Sequence, residues 1–140
     1  MSGFAPPRRG RRVSGGTLVE GPEIVRRGAY YYLFFAAGRF CQDSYAEGVA
    51  RSHSIFGPYE RLGVPLLSTA LVGYGTSGDK LIGPGHASFA WNEDGTTLYA
   101  AWHGSEGENC KRHAYVDRVE WTDDGWPFVD FTPLNRTHLA

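Results

Sequence analysis

The longest apolar stretch of the chain runs from Ala29 to Ala37, bounded by Gly28 and Gly38. Both of its alternating sets are apolar: Tyr30, Tyr32 and Phe34 on one side, Tyr31, Leu33 and Phe35 on the other. Three consecutive tyrosines and two phenylalanines favour a strand over a helix, because aromatic side chains pack well on a pleated surface. Apolar character on two faces predicts cover on both. Ahead of it, Glu20 is followed by Gly21 and Pro22, which bend and stiffen the chain, then by a short strand through Glu23-Ile24-Val25 and a turn at Arg26-Arg27-Gly28. Behind it, Ala46 to Ser52 continues as a strand whose small residues Ala46, Gly48 and Ala50 share one face and allow close packing. Gly57-Pro58 is a turn, and Arg61 to Leu67 is a short edge or connecting segment interrupted by Pro65.

The second half repeats the rhythm after an interruption. Leu71 to Gly85 carries Gly73, Gly75, Gly78, Gly83 and Gly85, which predicts a long surface loop of the kind that lines a site and delivers His86. Ala87 to Trp91 and Thr97 to His103 are two strands, with a hairpin turn at Asp94-Gly95. Leu98, Ala100 and Trp102 alternate with Tyr99, Ala101 and His103, again predicting burial on two faces. Ser105 to Asn109 reads as a polar loop, His113 to Trp121 as a strand, and Asp123-Asp124-Gly125 as a turn into Trp126 to Val129. The result is eight to ten antiparallel strands and no convincing helix, an all-β chain. Residues 1–16, with Pro6-Pro7, Arg8-Arg9-Gly10-Arg11-Arg12 and Ser14-Gly15-Gly16, have no hydrophobic period and read as a flexible tail, leaving 17–140 as the folded domain.

Composition narrows the function classes. At 140 residues the chain holds one domain with a real core. Its formal net charge of −1 gives no long-range field to gather nucleic acid or an anionic membrane, and a short basic run is ordinarily just solvated. No apolar run is long enough to span a bilayer and no apolar segment follows the N-terminal arginines, so neither a transmembrane helix nor a signal peptide is expected and a cytoplasmic location is. Cys41 and Cys110 are too few for a disulfide framework and their spacing is no metal motif, so two reduced, partly buried thiols are expected. Phosphate loops, Cys-x-x-Cys pairs, nucleophile elbows and zinc-protease helices are all missing from the sequence.

Four motifs occur in order: Val19-Glu20-Gly21-Pro22-Glu23-Ile24-Val25, Ser52-His53-Ser54-Ile55-Phe56-Gly57-Pro58-Tyr59, Gly83-Pro84-Gly85-His86 and Asp124-Gly125-Trp126-Pro127. Together they make the chain, from about Thr17 onward, resemble the C-terminal part of a glycoside hydrolase family 43 enzyme. That family folds as a five-bladed β-propeller and cleaves arabinose- and xylose-containing polysaccharides with inversion. The resemblance implies a partial β-propeller. Blades of four antiparallel strands occupy about 40 to 50 residues, so the chain holds about two and a half to three of them. A ring needs four or more, and an open one leaves apolar blade faces uncovered. A homo-oligomer, most simply a dimer, or a complementing N-terminal half is therefore expected.

Inverting hydrolysis needs a protonated acid at the leaving oxygen and a carboxylate base about 6.5 to 9.5 Å away. By the resemblance Glu20 is the general acid, with a pKa that burial beside aromatic residues would have to raise. Read on its own, a Glu before Gly-Pro is equally a turn residue. His86 matches the histidine that holds a metal ion or water on the propeller axis, often calcium with mostly water ligands. By itself one histidine is a poor signature for a hard cation and is more often a hydrogen-bonded structural residue. Arg112 approximately matches an arginine that contacts substrate hydroxyls, and Phe40, Tyr45 and His103 are candidates to line a carbohydrate pocket, or simply core and rim residues. The family's catalytic base and its second aspartate belong to the N-terminal blades, and no motif promotes Asp43, Asp79 or Asp117 to replace them. The expected function is an incomplete glycosidase that acts on or binds arabinose- or xylose-type glycans only after self-assembly or complementation. A non-catalytic carbohydrate-binding or scaffold protein built from identical copies is the alternative, and a truncated remnant without function is a third reading.

Overall fold

A computed structural model describes residues 18–75, 78–107, 110–131 and 137–139; the expected tail lies outside them. The first sheet is a four-stranded antiparallel meander of β1 (Val19–Arg27), β2 (Tyr30–Ala37), β3 (Ala46–Ser52) and β4 (Glu60–Arg61). The second runs β5 (Leu81–Trp91), β6 (Leu98–Glu106), β7 (Arg112–Trp121) and β8 (Pro127–Val129), with β9 (Thr137–Leu139) also paired to β7. Each is a four-stranded meander of the form that builds a propeller blade. The nine described strands thus form two blades of a partial β-propeller.

The core lies where the blades meet. Tyr32, Phe34 and Ala36, alternate residues of β2, are buried together with Val49, Ala87, Leu98, Ala100, Trp102, Tyr115 and Val119. Phe34 stacks on Phe89 across the junction at 3.9 Å between ring centroids. At another point of the junction the Tyr32 hydroxyl donates to the Gly125 carbonyl at 2.5 Å. Arg51 reaches the Asp124 carbonyl at 2.7 Å, its guanidinium lying over both Tyr30 and Trp126. Such cation–aromatic stacking holds best when partly shielded from water.

Several expectations change. Cover on both faces of β2 is found on one face only, since Tyr31, Leu33, Phe35 and Ala37 are just half-buried. On β6, likewise, Leu98, Ala100 and Trp102 are buried while Tyr99 and Ala101 are exposed. The uncovered faces are those pointing away from the junction, where no third blade lies among the described residues. The long glycine-rich loop is shorter than expected, because it contains the one-turn helix α1 (Thr69–Val72) and because β5 already begins at Leu81. Gly83-Pro84-Gly85 sits inside that strand, which tolerates it through register shifts between Ile82 and Gly85 and between Gly85 and Ser88. Ser105 and Glu106, expected in a loop, extend β6 and are buried.

The two cysteines are not free. Cys41 and Cys110 form a disulfide with their Cα atoms 5.3 Å apart, tying the β2–β3 connection to the β6–β7 connection. Counting cysteines missed this, since 69 residues separate them and only the blade packing brings them together. Cross-linking so long a loop restricts the unfolded chain, at an ideal value of about 4 kcal/mol. Unreduced protein should show no reactive thiol under denaturing conditions, and Cys41→Ser with Cys110→Ser should lower stability in urea by about 2–4 kcal/mol. Two titratable thiols in unreduced protein would contradict the pairing.

Candidate functional site

Two backbone irregularities and a buried tyrosine converge at one end of the junction. On β1 the pairing with β2 slips between Glu20, opposite Ala36, and Glu23, opposite Phe34, as the chain passes through Gly21 at φ 57°. On β5 the bulge places His86 at φ 52°, a left-handed conformation costly for a residue with a side chain. Just before β3 stands Tyr45, fully buried. Close approach explains the glycines: a Cβ on Gly85 would lie 2.8 Å from the Tyr45 ring, and one on Gly21 would lie 3.0 Å from the His86 ring.

Glu20 is the centre of the cluster. Its Oε1 accepts a hydrogen bond from the Tyr45 hydroxyl at 2.6 Å and lies 3.4 Å from His86 Nδ1. His103, opposite Gly85 on β6, sets its ring 6.0 Å from that of Tyr45 and 6.1 Å from that of His86. Its Nδ1 is buried without a hydrogen-bond partner. Of the residues singled out in the sequence, Glu20, Tyr45, His86 and His103 are therefore brought together. Phe40 and Arg112 form an exposed pair beside this cluster, the guanidinium 5.2 Å from the ring centre and near enough to act electrostatically on His103 and Tyr45. The disulfide holds that pair, because Cys41 follows Phe40 and Cys110 shortly precedes Arg112.

The electrostatics differ from what a resting acid requires. The Tyr45 hydrogen bond holds the Glu20 carboxyl below its ordinary value of 4.5; partial burial opposes this without reversing it, and the His86 contact adds to it. Instead of the expected raised pKa, Glu20 is an ionised carboxylate at neutral pH, because the groups around it donate protons and none of those that shift it is a carboxylate. Burial, with Arg112 and His86 nearby, lowers His103, which stays a neutral imidazole. Burial and the Glu20 carboxylate push Tyr45 up, so it remains a donor.

A carboxylate not singled out in the sequence lies behind the cluster. Glu47 on β3 is fully buried and its Oε2 accepts the backbone N–H of Ala87 at 3.2 Å, with the His86 amide close to the same carboxyl. Burial pushes its pKa up to about 8. The available signal was its place on the same alternating face as Val49, an acid at a core position. Glu23 does similar work further along, accepting from the Phe89 N–H and the Ser88 hydroxyl, each at 3.0 Å. Asp43 pairs with Lys80 at the surface, and buried Asp117 accepts the Trp102 indole N–H at 2.8 Å. Among the described residues no three His, Cys, Asp or Glu side chains are placed to hold a metal ion. Calcium, which prefers six to eight oxygens, would find one imidazole and water at His86, and no step below runs through it.

The cluster offers a charged acceptor, neutral imidazole and phenol groups, and an aromatic–arginine rim, a set suited to a hydroxyl-rich uncharged ligand. The family description "Glycosyl hydrolases family 43" matches residues 4–127, a span that starts inside the expected tail. The chain belongs to that family. It is 31% identical over 127 residues to an extracellular exo-alpha-(1->5)-L-arabinofuranosidase of Cellvibrio japonicus, covering 87% of this chain and 36% of that protein. It is 33% identical over 121 residues to the non-reducing end alpha-L-arabinofuranosidase BoGH43B of Bacteroides ovatus, covering 82% of this chain and 22% of that one. A crystallographic relative, the Cellvibrio cellulosa alpha-L-arabinanase complexed with arabinohexaose, superposes with a TM-score of 0.64 at 28% identity over 80% of this chain and 36% of the other. This family 43 chain spans about a third or less of the relatives it matches.

The Glu47 shift has a signed consequence for stability. Its folded pKa of about 8 lies above its ordinary 4.5, so between those values the unfolded chain releases a proton that the folded chain keeps. Stability therefore falls as pH rises through that window. His103, with a lowered pKa, gives the opposite slope below its ordinary 6.5, so pH 6.5 to 8 isolates Glu47. Urea unfolding should show a loss approaching about 1.4 kcal/mol per pH unit there, flattened in Glu47→Gln. Equal slopes in the two proteins would contradict the assignment.

Proposed function

We propose that this chain is a glycosidase-like partial propeller that acts on or binds arabinose- or xylose-type glycans once further blades close the ring around the Glu20 pocket. The observation that carries the reading is the state of Glu20: built into a hydrogen-bonded pocket, yet ionised. A general acid must hold its proton at working pH. A second carboxylate brought close by further blades would raise the Glu20 pKa by like-charge repulsion, the contribution this chain lacks.

In the closed ring, Glu20 would deliver its proton to the glycosidic oxygen as the bond to the anomeric carbon breaks. A carboxylate base from another blade, about 6.5 to 9.5 Å away, would take a proton from the water that attacks that carbon from the opposite side. His86 would orient Glu20, Phe40 would offer a face to a sugar ring, and Arg112 and His103 would bond its hydroxyls. A calcium ion on the axis would draw its remaining ligands from water or the added blades. Two blades per chain suit a complementing three-blade half for a five-bladed ring, whereas a homodimer would supply four. The disulfide suits an oxidising compartment, unlike the cytoplasmic location that the sequence reading expects. The alternative, a non-catalytic carbohydrate-binding assembly of identical copies, draws support from the same ionised Glu20, which can bind hydroxyls without ever releasing a proton.

Light scattering of the purified chain over a dilution series, followed by assays on aryl arabinosides and xylosides, separates these readings. The expected result is no turnover by the chain alone, and turnover when the N-terminal blades of a family member are supplied, reduced about 10²–10⁴-fold by Glu20→Gln. Stable self-assembly with sugar binding but no turnover under either condition would favour the alternative. Turnover by the isolated monomer, abolished by Glu20→Gln, would overturn the requirement for further blades.

A further inference from the structure

Glu20, Ala36 and Glu47 lie side by side across the first sheet: Glu20 pairs with Ala36 on one edge of β2, and Ala36 pairs with Glu47 on the other. Residues directly opposite in a ladder face the same side, so the two carboxylates flank a fully buried alanine and both turn toward β5. On β5 the pairing with β6 runs through Gly85 and Ser88, and the bulge between them leaves His86 and Ala87 without Cα partners on β6. Buried backbone donors need an acceptor. Glu47 Oε2 takes that of Ala87 at 3.2 Å, and the His86 amide lies close to the same carboxyl.

We propose that Glu47 is a positioning residue for the Glu20–His86 pair: by accepting the Ala87 amide that the β5 bulge strips from its sheet, next to His86, it fixes the left-handed turn from which His86 reaches Glu20. The backbone of Glu47 is itself anchored, donating to the Leu67 carbonyl at 3.0 Å and accepting from the Leu66 N–H at 2.8 Å. The missing side chain at position 85 makes room, since a Cβ there would lie 3.4 Å from Glu47 Oε2 as well as against Tyr45. A left-handed non-glycine residue persists only where its surroundings over-determine it. Here the backbone is gripped by Glu47 on one side while the imidazole meets Glu20 and Gly21 on the other. The importance of this clamp for chemistry rests on the pocket reading above, but its existence does not.

The test uses nuclear magnetic resonance on the whole chain with two variants. Glu47→Gln keeps an oxygen acceptor, whereas Glu47→Met keeps the volume and removes it. Hydrogen exchange is followed at the Ala87 amide, with the Phe89 amide, held by Glu23, as control. A nuclear Overhauser contact between the His86 ring and the Gly21 α-protons reports the side-chain position. In the methionine variant the Ala87 amide should exchange at least about tenfold faster relative to Phe89, with loss of the ring contact, while the glutamine variant behaves as wild type. A folded methionine variant that keeps both signals, or a glutamine variant that loses them, overturns the proposal. If the methionine variant does not fold, wild type decides: a protected Ala87 amide supports the clamp, and exchange as fast as at exposed loop amides refutes it. None of these signals involves sugar turnover, so failure of the clamp and failure of the glycosidase reading are separately visible.

Discussion

Strand β5 lies against the first blade through amides that its own sheet cannot satisfy. Thr69 accepts the Gly83 N–H, Glu47 that of Ala87, and Glu23 that of Phe89. An unmet buried donor costs about 1–3 kcal/mol, so acceptors at these points keep the irregular segment from being a liability. The irregularity is also what makes the pocket, because an unbroken ladder would leave His86 without its left-handed turn and would not bring the β5 backbone onto the Tyr45 ring. Fold and site thus share one origin in the meeting of two blades.

The same geometry accounts for what the pocket lacks. Each blade buries the face it turns to the other and leaves the far one open, so Phe35 and Leu33 on β2 and Tyr99 and Ala101 on β6 remain wholly or partly accessible. Glu20 stands with proton donors and imidazoles as the groups that shift its pKa and no carboxylate among them. Open faces and an ionised Glu20 occur together among the described residues, where no third blade stands beside these two. Membership of glycosyl hydrolase family 43 is secure over residues 4–127, and the short coverage of its relatives agrees with a partial ring.

Much of this was legible in the sequence, for identifiable reasons. Period-two apolar alternation placed β2, β3, β6 and β7 almost residue for residue, since each has a core face that no other register would bury. Motif order placed Glu20 and His86 together before any geometry was known. Glycine and proline misled at positions 83 to 85, where they serve close packing within a bulged strand and not a loop. The disulfide was hidden because its partners are distant in sequence, and Glu47 because a buried acid leaves only the faint mark of a charge on an apolar face. The protonation state of Glu20 depends on a hydroxyl 25 residues away, a distance that no local pattern spans.

On the proposed reading, Glu20 stands in an assembled pocket but is not yet set to act as a general acid. Carbon-detected titration of the Glu20 carboxyl in the isolated chain, assigned by comparison with Glu20→Gln, tests it directly. A midpoint below the ordinary 4.5 is what the Tyr45 and His86 contacts predict. A midpoint near 6 or above, in the range of a working general acid, would contradict the account and show the pocket tuned without further blades.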